Sequence, residues 1–364
     1  MRSPNRIVIA AAGGGKTTRI VEEVMVSPGA RTAILTYTNN NIREIRSKFV
    51  ELGHAQPTNV EIISWYSFLL RELARPYRNF KYDKRIDGIH WTETTVDRYA
   101  KKTDVGRYFF GNTSSIYSNK LAEFVCVCNQ AGNGAVIKRL EQRFDRIYID
   151  EIQDVAGYDI DVIELLLRST IETVVVGDHR QSTFTTNNSN RHKGFLGLKI
   201  IDKFRDWERR KLANLEFQTI SHRCHQTIAN VADAFFPNEP STQSTNEVTT
   251  DHDGVFAVTR AHVPAYIERF SPQILRLNVQ TPCTGLSPLN FGDSKGMTFK
   301  RVLIFPHKKG RQWLETGDYE HVSGVRCRLY VGVTRARHSV AFVLDEECSV
   351  EGITRWQPDH ATLE

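Results

Sequence analysis

The chain has 364 residues, of which 40% are hydrophobic and 25% charged, with a formal net charge of +6. That length exceeds one ordinary domain and implies two or three, with the composition of a globular protein. No apolar run approaches the roughly 20 residues that a bilayer-spanning helix needs, which excludes a helical membrane protein. The mild positive charge is compatible with a polyanionic partner. Six cysteines are scattered at Cys126, Cys128, Cys224, Cys283, Cys327 and Cys348. No second pair joins Cys126 and Cys128 to complete a zinc site, so they read as reduced core thiols of a cytoplasmic protein.

Residues 7–12 form an apolar run that predicts a buried strand, and no leader is read ahead of it. Gly13, Gly14 and Gly15 follow, then Lys16, Thr17 and Thr18, then apolar residues at helical spacing. Strand, glycine turn and helix make up the context of a phosphate-binding loop. Glycines let the backbone approach a polyphosphate with its N–H groups. Lys16 is expected at the β- and γ-phosphates and the Thr17 hydroxyl on Mg²⁺. The usual pattern opens with glycine where Ala10 stands.

A second strand is expected over residues 32–38. Asn39, Asn40 and Asn41 are then placed to cap a helix carrying Ile42, Ile45 and Phe49 on one face. A third strand is read at 60–64 and a helix at 65–73. From 71 to about 108, aromatic and basic residues interleave, which suits a single-stranded nucleic acid: bases stack on rings and phosphates pair with Lys or Arg. A solvated basic face on an inserted subdomain is the plainer alternative. Helical signal resumes over 121–144, broken near Gly132 and Gly134.

The strand beginning at Arg146 runs straight into Asp150 and Glu151. Carboxylates at the end of a parallel strand sit in the ligand crevice of a doubly wound sheet. Asp150 could hold Mg²⁺ and Glu151 could orient and deprotonate an attacking water. A helix at 156–169 and a strand at 173–178 follow, the latter leading to Gln181, a candidate sensor of the γ-phosphate. Residues 185–193 read as a mobile polar loop. Alternating strand and helix signals therefore predict a parallel sheet up to about residue 205. A second such region opens with a strand at 216–220, and then a helix around 228–235 and a loop at 237–253. Short strands follow at 254–260 and 273–277, a glycine-bounded turn at 292–297 and a strand at 301–305. A helix at 325–337 and a final strand at 339–344 close the pattern.

The order of these motifs resembles superfamily 1 helicases of the UvrD/Rep/PcrA family over nearly the whole chain. Ala10 to Thr17 resembles motif I, Thr36-Tyr-Thr-Asn39 motif Ia, and Ser64 to Phe68 the DNA-contacting motif after it. Asp150-Glu-Ile-Gln-Asp154 resembles motif II and Gly177-Asp-His-Arg-Gln-Ser182 motif III. Ser221-His-Arg223, Ser294-Lys-Gly-Met-Thr-Phe299 and Leu329-Tyr-Val-Gly-Val-Thr-Arg-Ala-Arg337 fall at motifs IV, V and VI.

The resemblance implies an α/β protein of two RecA-like parallel-sheet motor domains. The first would span residues 1–205, with a small, mainly helical insertion at 70–122. The second would span 206–364, with a much reduced insertion. It implies ATP and Mg²⁺, with Ala12, Gly13, Gly14, Gly15, Lys16, Thr17, Thr18, His222 and Gly296 at the nucleotide, and Thr17 and Asp150 at the metal. Glu151, Gln181, Arg223 and Arg335 would be catalytic, the two arginines as fingers. Tyr37, Thr38, Asn39, Tyr66 and Phe184 would touch DNA.

Departures are visible too. No upstream glutamine motif is read in the few residues ahead of the loop. His222 stands where the family stacks adenine on Tyr, and Thr298 and Gly292 replace a Glu and a His. After Phe184, Thr186 and Asn187 replace family residues, including an aromatic one. The implied activity is an ATP-driven translocase or helicase on single-stranded or partially duplex DNA, running 3′ to 5′. The alternative is an ATP-dependent, DNA-end-binding regulatory subunit of a nuclease partner of the anti-phage type.

Overall fold

Strict alternation along an aliphatic run decides how the first sheet is built. In β1 (Arg6–Ala10), Ile7 and Ile9 enter one core while Val8 enters the core on the opposite face. A strand buried on both faces reads as a continuous apolar run, as residues 7–12 do. The computed structural model describes residues 5–92, 99–183, 185–186 and 189–358.

The chain divides into two compact units. The first comprises residues up to Ile9, Lys16–His179 and Phe184–Glu216. Its sheet contains β1, β2 (Thr32–Thr36), β3 (Val60–Ser64), β4 (Arg146–Ile149), β5 (Glu172–Gly177) and β6 (Asn214–Gln218). Their order is β3-β2-β4-β5-β1-β6, with β3 through β1 parallel. Helices α1 (Lys16–Val26) and α2 (Asn39–Glu51) cover one face through Ile20, Val21, Val24, Ile45 and Phe49. Helices α3 (Leu121–Ala131), α4 (Ala135–Arg143), α5 (Tyr158–Arg168) and α6 (Ile200–Arg209) supply the other core.

The insertion follows β3. A helix at Trp65–Phe68 widens into a π-helical stretch, Leu69–Ala74, and tightens to a 3₁₀ turn, Arg75–Phe80. Short parallel strands Gly88–His90 and Ser115–Tyr117 and a helix at Val105–Phe110 complete it. Several arginines of the aromatic-basic stretch serve as internal ties. Arg75 donates to the carbonyls of Ile86 and Asp87, and Arg78 to those of Lys84 and Arg75.

The second unit comprises Ala10–Gly15, Arg180–Thr183 and Phe217–Glu364. Its sheet holds β7 (Gly254–Val258), β8 (Gln273–Arg276), β9 (Leu289–Asn290), β10 (Phe299–Phe305), β11 (Ala336–Val343) and β12 (Ile353–Trp356). The order is β9-β8-β10-β11-β7-β12 and every pair is parallel. Helices α7 (Gln226–Asp233), α8 (Val263–Phe270), α9 (Lys308–Thr316) and α10 (Arg326–Val333) accompany it. The fold is thus α/β with two RecA-like sheets.

Local details differ from expectation. The strand predicted at 216–220 is β6, in the first sheet, because Asn214 N–H bonds the Asn5 carbonyl at 2.9 Å. The boundary expected at 205/206 falls inside α6, and the units part at Glu216 and Phe217. The helix expected to run to residue 337 ends at Val333. The Thr334 hydroxyl donates back to Tyr330 O at 2.7 Å, and Ala336 already pairs with Phe299. The cap of α2 is Thr38, whose hydroxyl accepts from Asn41 N–H, so Asn39 to Asn41 form the first turn instead. A strand beyond 344, β12, was not foreseen. All six cysteines are free, with Cys128, Cys224 and Cys283 buried. No helix among the described residues is long and apolar enough to cross a membrane.

One buried side chain ties β1, β5 and the end of α5 together. Asn5 Nδ2 donates to Leu167 O at 2.7 Å and Leu212 O at 2.8 Å, and its Oδ1 accepts from Thr173 N–H at 3.0 Å. Asn5→Ala strands two buried backbone groups and one partly buried one. It should lower unfolding stability by about 2–4 kcal/mol, read as a shift of the urea midpoint with an unchanged slope.

Candidate active site

The carboxyl ends of adjacent parallel strands gather the polar residues of the first unit. Lys16 opens α1 after β1, Asp150 follows β4, and Asp178 follows β5. Asp150 is only 4% exposed and its Oδ1 accepts from Glu151 N–H at 2.9 Å. Burial and the neighbouring Glu151 push its carboxyl up to about 7, while the Lys16 charge pulls it down. A cation at this carboxylate would hold it ionised.

Glu151 has a left-handed backbone, φ 60° and ψ 40°, uncommon for a residue with a side chain and found disproportionately at functional sites. Gln153 fixes it. The Gln153 amide donates to Glu151 Oε2 while its Oε1 accepts from Asp178 N–H at 3.1 Å. The Gln153 amide and Ile152 occupy the space where a β-carbon at Gly177 would lie. Motif II thereby holds the ends of β4 and β5 in one cluster. Among the described residues no group of three or more His, Cys, Asp or Glu forms a metal cage. The buried Asp150 carboxylate is a hard oxygen donor of the kind Mg²⁺ takes in nucleotide sites.

Other expected residues meet in the second unit. Arg335 is 1% exposed. Its Nε donates to Val331 O at 2.9 Å, Nη1 to Met297 O at 3.2 Å and Nη2 to Gln181 Oε1 at 3.2 Å. The glycine arc lies against motif IV. Ser221 Oγ donates to Ala12 O at 2.7 Å and His222 N–H to Gly13 O at 3.0 Å. A β-carbon on Gly13, whose φ is 75°, would collide with Cβ of Arg223. Arg223 Nη1 donates to Thr334 O at 3.2 Å. Tyr330 was not singled out in the sequence, yet its hydroxyl accepts from Ala12 N–H at 3.3 Å. Arg180 lies over the Tyr330 ring and bonds Asp233 at 3.0 Å. The His222 ring is exposed and bonds Thr245 Oγ1, and Gly296 lies exposed in a left-handed turn.

Two of the nucleic-acid candidates, Tyr66 and Tyr37, connect through Thr186 and Trp65 to a buried carboxylate that pattern reading missed. Asp159 accepts from Trp65 Nε1 at 2.9 Å and from Thr186 Oγ1 at 2.7 Å. Thr186 N–H donates to Asp154 O, its hydroxyl accepts from Ala156 N–H, and its carbonyl accepts from the Tyr66 hydroxyl at 2.7 Å. Thr186, expected in a mobile loop, is instead an anchored core residue, 6% exposed. Tyr37 packs on Trp65, with ring centroids 5.9 Å apart. Its hydroxyl is buried with no hydrogen-bond partner among the described residues. Thr38 serves as helix cap, Asn39 and Thr38 are exposed, and Phe184 lies outside the described residues. The one available signal for Asp159 was an acid among the apolar residues of α5.

A family model, the UvrD/REP helicase N-terminal domain, matches residues 112–193. No curated protein matches the chain in sequence. Among solved structures, a PRRSV helicase is 14% identical, with TM-score 0.47, covering 94% of this chain and 52% of its own. Arterivirus nonstructural protein 10, a helicase, is 13% identical, with TM-score 0.48, covering 93% of this chain and 59% of its own. The same protein solved in complex with DNA gives 13% identity, TM-score 0.48 and coverages of 93% and 60%. The chain spans between half and three-fifths of the length of these helicases.

Asp159 supplies a pH test. Burial pushes its carboxyl up to about 6, against the hydrogen bonds from Trp65 and Thr186. The folded state therefore binds the proton more tightly than the unfolded state, so stability is lost as pH rises from about 4 through 6. Asp159→Asn has no such loss. Its stability relative to the parent should rise between pH 4 and pH 8 by up to about 3 kcal/mol, measured by urea unfolding across that range.

Proposed function

We propose, on the premise that this is a UvrD-like superfamily 1 chain, that it hydrolyses ATP with Mg²⁺ and uses the cycle to translocate along single-stranded DNA in the 3′ to 5′ sense. The observation that carries the reading is the bond from Arg335 Nη2 to Gln181 Oε1 at 3.2 Å. It joins the expected finger to the expected γ-phosphate sensor. The buried guanidinium is a planar donor, suited to charge on a transferring phosphoryl group.

The remaining roles follow from the chemistry. Lys16 and the loop N–H groups bind the phosphates. Asp150 and Thr17 would hold Mg²⁺, which supplies neutralisation of developing phosphate charge when bound. Glu151, fixed by Gln153, is the group to take a proton from water. Asp150 is 4% exposed, and the lower dielectric around a buried group strengthens its interactions with nearby charges. Tyr66 and Tyr37, set by Trp65, Asp159 and Thr186, form the rigid aromatic side of a strand-binding track.

Lys16→Ala should abolish ATP hydrolysis while leaving oligonucleotide affinity largely intact. Arg335→Ala should retain nucleotide binding and lose turnover by roughly 10³-fold or more. Steady-state hydrolysis with and without single-stranded DNA checks both, with the unfolding midpoint of each variant as control. A parental rate in folded Arg335→Ala overturns the finger assignment. Strand displacement by the isolated chain separates a motor from a DNA-end-binding regulatory subunit of a nuclease, which would show displacement only with its partner.

A further inference from the structure

The insertion after β3 holds most of the chain's net positive charge. Residues 69–120 carry eleven Lys or Arg against six Asp or Glu, a net of +5 beside +6 for the whole chain. Part of that charge is used inside the fold, as with Arg75 and Arg78 above. Lys102 and Lys120 are also committed, both to the buried carboxylate of Glu123. Lys81, Lys84, Arg85, Lys101 and Arg107 are exposed.

Within this basic surface stands Trp91, 65% exposed. The other tryptophans are buried: Trp65, Trp207 and Trp313 at 0% and Trp356 at 9% exposure. Leaving so large an apolar ring in water forgoes a stabilisation on the order of 2 kcal/mol, so its exposure calls for a reason. The ring is also held. It follows the paired strand Gly88–His90, and the next residue, Thr92, donates its N–H to Ser118 Oγ at 3.4 Å. The indole meets the Tyr66 ring edge-on, with centroids 4.8 Å apart and planes at 74°. Tyr66 is itself fixed through Thr186 to Asp159. An exposed indole, braced on a rigid tyrosine and carried by an insertion with exposed cations, has the parts that bind single-stranded nucleic acid without sequence preference: a stacking face and a source of phosphate contacts.

We propose that Trp91 is a base-stacking platform. Its exposed indole face takes one base of a single strand, with Tyr66 bracing the ring and the exposed lysines and arginines of the insertion holding the flanking phosphates. This deepens the reading of the chain as a strand translocase and rests on it. It makes the insertion part of the strand's path.

The exposure pattern provides its own reporter, because Trp91 dominates the emission that a bound base can reach. Titration of the full chain with oligothymidylate should quench tryptophan fluorescence, and Trp91→Phe should abolish that quenching while keeping most of the affinity. Trp91→Ala should weaken binding about 5- to 100-fold, the equivalent of one lost base stack. The slope of log affinity against log salt should stay the same, since the phosphate contacts remain. Near-ultraviolet circular dichroism checks that the variants stay folded. If Trp91→Ala binds oligothymidylate as tightly as the parent, this proposal alone is overturned. If the parent itself does not bind the oligonucleotide, the strand-translocase reading falls with it.

Discussion

Parallel pairing of β4, β5 and β1 is the constraint on which the rest of this protein depends. Because the three strands are neighbours and run the same way, their carboxyl ends deliver Asp150, Asp178 and the approach to Lys16 to one side of one sheet. Neighbouring strands lie only about 4.8 Å apart, so groups far apart in sequence come within electrostatic reach. Burial and the adjacent Glu151 raise the Asp150 carboxyl, and the charge of Lys16, distant in sequence, pulls it back down. The sheet can impose this geometry because both its faces are covered, which leaves the strands no freedom to slip register.

What could be read from the chain beforehand follows from the same physics. Aliphatic runs ending in polar residues announced β1, β4 and β5, and glycines before Lys16 announced the loop. Period-2 and period-3.6 patterns are local, so they are legible wherever both faces of a strand or one face of a helix are buried. Long-range pairing is not local. Nothing within residues 214–218 says that they join β1, because the deciding bond comes from Asn5. Nothing near Thr186 says that it is core, because its partners are Asp154, Ala156 and Asp159. The early end of α10 depends on Ala336 finding Phe299, again a distant partner.

The polar residues assigned no role from the sequence share one trait: each acts through another residue. Asp159 sets Trp65 and Thr186, Gln153 sets Glu151, and Tyr330 holds a loop N–H. Buried polar groups must be satisfied, and in a network the satisfied groups fix one another's orientation. A motif pattern names the residue that meets the substrate. Its supporting partners are recognisable only once the chain is folded.

The packing of Gly177 against Gln153 has an evolutionary consequence. These two positions form a lock in which one residue's missing atom is the other's seat. Drift at either site alone is therefore blocked: a methyl at 177 would evict the amide, and losing the amide would free Glu151 to relax from its left-handed turn. Replacing Gln153 as well would not by itself admit a side chain at 177, because Ile152 Cγ2 and the Ile152 backbone nitrogen border the same space.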